Sequence, residues 1–146
     1  MEDTNHLPQQ EFDEFQMINE KAIDTANLAI KSGLIINGGA AVAVLGFLSS
    51  ILKEQKSFNQ LMPSAADALM YFALGVALAV LALGLAYLTH YTALWCINAR
   101  GKSTEMLAKA TKFLLHVFAV AAALAPIGLF VKGAWMIREG ILTTLL

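Results

Sequence analysis

The order of apolar and polar positions divides the chain into three long uncharged runs joined by short charged connections. The longest extends from Ala68 to Ala99, reading LMYFALGVALAVLALGLAYLTHYTALWCINA after its first alanine. A bilayer's hydrocarbon core takes about 20 residues of helix, so this run predicts a membrane span with residues to spare. A second run, SGLIINGGAAVAVLGFLSSIL between Lys31 and Lys53, has the length of one crossing, as does the stretch from Phe113 to Val131. Pro126 lies inside the last and predicts a kink, which membrane helices accommodate when neighbours satisfy the freed backbone group. The fold class expected is therefore an all-α integral membrane protein with three transmembrane helices.

Ahead of the first span, residues 1–8 read as an unstructured lead. From Gln9 the apolar positions Phe12, Phe15, Ile18, Ala22, Ala26 and Ala29 recur at steps of three and four, with acids mostly elsewhere. This predicts an amphipathic helix over 9–31. No Pro or Gly interrupts it before Gly33, so it should continue into the first span, 32–52. Its apolar stripe is expected to pack on the other helices or, alternatively, to dock a partner. Residues 53–64 read as a polar external loop. Pro63, Ser64 and Asp67 resemble a capping box that starts the second helix, 65–99, near Ala65. Tyr71 and Phe72, then Tyr87, Tyr91 and Trp95, read as aromatic belts; Tyr71 to Tyr91 rises about 30 Å, so the remainder through Ala99 projects beyond the bilayer. Asn98, Arg100 and Gly101 end that helix, and Ser103 is placed to cap the third, 104–138. Residues 139–146 are expected to form a short external tail along the membrane surface.

Composition agrees with this class: of 146 residues, 58% are hydrophobic and 14% charged, and one domain is expected. Charge adds an orientation. Glu2, Asp3, Glu11, Asp13, Glu14, Glu20 and Asp24 make the front acidic, offering no basic patch to a nucleic acid. The opening residues are unlike a cleavable signal peptide, so the first span should stay as an anchor. Lys21, Lys31, Arg100, Lys102, Lys109 and Lys112 fall on one side of the bilayer, against Lys53, Lys56, Lys132 and Arg138 on the other. The positive-inside rule then predicts a multi-pass protein of the inner (plasma) membrane with a cytoplasmic amino terminus and an external carboxyl terminus. Arg100, Lys102, Lys109 and Lys112 are placed to meet anionic lipid headgroups.

Candidate chemistry is sparse. Gly38, Gly39, Gly46, Gly75 and Gly84 lie in apolar helices, where small residues allow close approach of backbones. They predict helix interfaces, within the protomer or between copies in a homo-oligomer. Asn37 can bond across helices, a structural role more than that of an ion ligand. His90 and His116 should fall at similar depth and could ligate a haem iron or a metal, or relay protons. Their spacing forms no motif, however, and no cofactor is expected. Cys96, the single cysteine, reads as a small packed thiol or an acylation site. With no catalytic motif, an enzyme is not expected. The function this favours is a non-enzymatic membrane protein that self-associates through its small-residue faces, as a pore-forming or membrane-perturbing effector. Two alternatives stand beside it: an anchor recruiting a soluble partner through the acidic helix, and a haem- or proton-carrying subunit using His90 and His116.

Overall fold

The computed structural model describes residues 7–145. They form three helices, α1 (Leu7–Ser50), α2 (Gln55–Asn98) and α3 (Glu105–Leu145), each with a stretch long and apolar enough to cross a membrane. Helices of 44, 44 and 41 residues are each more than 60 Å long at about 1.5 Å per residue, roughly twice a hydrocarbon core. α2 and α3 make an antiparallel hairpin with the most extensive interface, and α1 lies along both, mostly on α2.

What brings the helices together is a seam of small residues with a period of 3.5. Along α2 the buried positions Leu61, Ala65, Ala68, Phe72, Gly75, Ala79 and Ala82 recur at alternating steps of four and three. α3 repeats the pattern in Ala119, Ala122, Pro126, Gly133 and Gly140, and α1 in Ile23, Asn27, Ile30, Leu34, Asn37 and Leu48. A sustained period of 3.5 keeps one stripe facing the partner and predicts a left-handed supercoil. Alanine and glycine at these positions let the backbones close up. A Cβ on Gly133 would lie 2.6 Å from the Phe72 ring, and one on Gly140 would lie 2.6 Å from the Ser64 Cβ.

The three helices meet at one node. Asn37 of α1 is fully buried, and its Nδ2 donates to the carbonyls of Gly33 (2.9 Å) and Pro126 (3.1 Å). Since both partners are acceptors, the nitrogen must face them, which fixes the amide's orientation. Oδ1 then points at Gly75 of α2 and has no hydrogen-bond donor. It lies where glycine carries only a hydrogen, so a weak Cα–H···O contact is what this oxygen retains. Gly33 closes the same node from α1, its Cβ position 3.3 Å from the Pro126 ring. Asn37 thus bonds across helices, in the structural role expected of it.

Several expectations are corrected. The α1 stripe is rotated: Phe12 and Ile18 are each 57% exposed, Ala22, Ala26 and Ala29 are exposed too, and the packed positions are Ile23, Asn27 and Ile30. The side chain of Phe15 lies outside the described residues. A period counted from apolarity alone cannot find the inward face when asparagine and glycine belong to it. Of the expected lead, residues 1–6 lie outside the described residues, but Leu7 and Pro8 are already helical; proline is tolerated in a first turn because its missing N–H has no partner there. Phe72 is not in an aromatic belt. It is 2% exposed, with its ring 6.0 Å from that of Phe130.

The two remaining corrections explain each other. Instead of a loop over 53–64 and a helix start at Ala65, the connection is the short turn Ile51–Glu54 and α2 runs from Gln55 through Pro63. Instead of a surface tail over 139–146, α3 continues to Leu145, with the Thr143 and Thr144 hydroxyls donating to the Gly140 carbonyl at 2.9 and 2.8 Å. Each extension packs on the other, Leu61 and Ser64 against Gly140. Tertiary contact outweighs what a proline takes from a helix interior when a partner helix is available along its length.

Candidate functional site

The polar features converge at the Gly101 end of the hairpin. α2 stops when the Ala99 N–H bonds back to the Trp95 carbonyl (2.9 Å), and the chain reverses through Gly101, whose φ of 72° is a left-handed conformation suited to glycine. Glu105, not the expected Ser103, secures the turn: its carboxylate accepts from the Gly101 N–H at 2.8 Å and from Lys109 Nζ at 2.6 Å. The Lys109 bond, followed by that from Gly101, holds the Glu105 carboxyl below its ordinary pKa. Glu105 is more than two turns ahead of the uncharged run that begins at Phe113.

Two cavities open in this half of the bundle, one beside the turn and one deeper along the helices. The larger, about 520 Å³, lies between α2 and α3 and is lined by Ala93, Cys96, Ile97 and Arg100 from one helix and Lys109, Lys112, Phe113 and His116 from the other. No carboxylate lines it. Among the described residues the ion pairs are Glu105–Lys109 and Arg138–Glu139, so neither Arg100 nor Lys112 has an acid within ion-pair distance. The smaller cavity, about 260 Å³, is bounded by all three helices. Its polar groups are Asn19 and Asn27 of α1, Thr89 and His90 of α2, and His116 of α3. His116 lines both.

No family model, curated protein or solved structure matches this chain. His90 and His116 both line the smaller cavity. That cavity is below the roughly 300–1,000 Å³ of typical small-molecule sites and suits ordered water among asparagine, threonine and imidazole groups. Among the described residues no group of three His, Cys, Asp or Glu is placed to hold a metal. Of the four bases predicted to meet headgroups, Arg100, Lys109 and Lys112 line the larger cavity and Lys102 does not.

The glycines separate into two classes. Gly75 is in a helix interface. Gly38, Gly39, Gly46 and Gly84 are not within the protomer's packing: a Cβ on any of them would find nothing within 4 Å. The inward glycines absent from the interface read from the sequence are Gly133 and Gly140. Their signal was available, since Gly133 and Gly140 stand one heptad apart and continue the steps from Ala119, Ala122 and Pro126. Asn19 and Asn27 were likewise unremarked, and nothing local distinguishes them from other polar residues of an amphipathic helix.

Proposed function

We propose that this chain is a non-enzymatic, three-span membrane protein that self-associates through the outward face of α1, with its amino terminus and Gly101 turn on the cytoplasmic side. The observation that supports self-association is that Gly39, Ala43, Gly46 and Ser50 are exposed along one side of α1, with nothing in the protomer near either glycine. In lipid, steps such as Gly39/Ala43 and Gly46/Ser50 let a second helix approach closely, and van der Waals contact stands in for the hydrophobic effect. The orientation rests on the distribution of bases. Such an assembly would perturb or perforate the membrane.

Light scattering on the protein in mild detergent tests this. A multiple of the 15.7 kDa protomer is expected for the wild type, and Gly39→Leu with Gly46→Leu should reduce it to one copy at unchanged helicity. Induced expression should depolarise cells, and the double variant should not. A wild type with protomer mass would refute the proposal.

A second reading is favoured by the acidic end of α1. Phe12 and Ile18 stay exposed beside Asp13, Glu20 and Asp24, beyond the uncharged run. An exposed apolar stripe bordered by acids suits a soluble partner with an apolar groove and basic rim. This reading expects a co-purifying protein that is lost when the residues before Ala22 are deleted.

A further inference from the structure

We infer that the cavity between α2 and α3 at the Gly101 end holds the phosphate of an anionic phospholipid, with Arg100 and Lys112 as its ligands and Cys96 in its wall. The inference depends on the membrane reading but not on self-association.

Charge is the first argument. Three bases and His116 line one open-mouthed space of about 520 Å³, with no carboxylate among the lining residues. The acid closest in sequence, Glu105, is already engaged by Gly101 and Lys109. Lys109 is thereby offset by a direct ion pair and Arg100 only through space, and among the described residues neither Arg100 nor Lys112, which both face the cavity, has an ion-pair partner. Phosphate suits them: a guanidinium can offer two parallel N–H donors to its oxygens, and an ammonium adds a point charge.

Depth decides which phosphate. Lys112 immediately precedes the uncharged run Phe113–Val131, and Arg100 follows the run that ends at Ala99. The cavity therefore lies beyond the Tyr71–Tyr91 crossing, where the uncharged runs give way to the charged turn, at the level of the headgroups. Its lining is amphipathic as well. Ile97 and Phe113, 56% and 66% exposed, present apolar surface at the same mouth as the bases. A soluble phosphate has no use for that surface, whereas acyl chains leaving a bound headgroup would lie along it. Basic pockets between membrane helices capture lipid headgroups in this manner.

Cys96 supplies a reporter, because it is the chain's single cysteine, is part-exposed and lines the cavity. The experiment follows the rate of Cys96 alkylation by a neutral maleimide on the full chain in mild detergent, titrated with dihexanoyl phosphatidylglycerol. Saturable protection is expected. Dihexanoyl phosphatidylcholine, at the same concentrations, should give none. Arg100→Gln with Lys112→Gln should raise the protection midpoint about thirtyfold, at roughly a fivefold contribution per base removed near a headgroup. Lys53→Gln, in the turn at the opposite end of the helices, should leave the midpoint unchanged. If the double variant does not fold, as judged by helicity and elution volume, Lys112→Gln alone should still move it about fivefold. Equal protection by inorganic phosphate would show a soluble anion site and overturn the lipid assignment. Absence of protection, or a midpoint that responds to Lys53→Gln as strongly as to Lys112→Gln, would overturn the site itself.

Discussion

Gly75 and Gly39 stand in similar apolar surroundings in the sequence, yet a Cβ on the first would meet the Asn37 amide and one on the second would find nothing within 4 Å. The same contrast separates Gly33, Gly75, Gly133 and Gly140 from Gly38, Gly39, Gly46 and Gly84. The first set holds the protomer together, because a missing Cβ is what allows a ring, an amide or a second helix to come so near. The second set leaves the protomer's own packing untouched. Small residues in these apolar helices therefore fall into two structural groups, and substitution separates them.

The largest effect should come from Gly133→Leu. The side chain would enter the space of the Phe72 ring, which is 2% exposed and has nowhere to move. Overpacking of this kind costs about 3 kcal/mol, measurable as an earlier loss of helix in a denaturing-detergent titration. Gly75→Ala should cost about 2 kcal/mol, since its methyl displaces the Asn37 amide from the Gly33 and Pro126 carbonyls. Asn37→Ala alone should cost about 1 kcal/mol, in the range of interhelical hydrogen bonds in membranes. Combining it with Gly75→Ala should cost less than the sum of the two, because the obstructed amide is then absent. Additive costs would break the account of the node.

At the other pole, Gly39→Leu with Gly46→Leu should shift protomer unfolding by no more than about 0.5 kcal/mol while changing oligomeric mass. A cost as large as that of Gly133→Leu would erase the distinction between the two sets. The smallest effect belongs to the Glu105 turn. Its carboxyl is lowered in the folded state by Lys109 and the Gly101 N–H. The stabilisation it contributes is thus complete above the ordinary carboxylate pKa and disappears as pH falls through the lowered, folded one. Being exposed, it should appear only as a slight acid-side decline in stability that Glu105→Gln lacks.

Much of this arrangement was legible from residues alone. Runs of uncharged positions gave the three helices, and charge after Ala99 and before Phe113 placed the hairpin turn. Asn37 stood out as the polar member of an apolar helix and proved to be the residue that joins all three. The α1 stripe is displaced by one position because its inward face includes Asn27 beside Ile23 and Ile30, which a count of apolar positions does not register. Periodicity then carries little contrast, and the inward face is marked by residue size and by the partner's shape. The heptad of alanines and glycines in α2 and α3 was a readable mark of that kind. The cavities were not readable, since Arg100 and His116, or Asn19 and His90, become neighbours through the packing of separate helices.

The long uncharged stretch from Ala68 to Ala99 shows where local information ends. Its composition dictates a helix longer than a bilayer requires, because apolar side chains and satisfied backbone groups extend without interruption. How far beyond Ala68 that helix reaches toward the amino terminus depended on α3. Pro63 and Ser64 read locally as a helix start, but α3 continues alongside to Leu145 and presents Gly140 to Ser64. Burial against a partner outweighed the local signal. The inward or outward role of each glycine was settled in the same way, by which helix lay opposite, a relation between distant segments that no stretch of one helix contains.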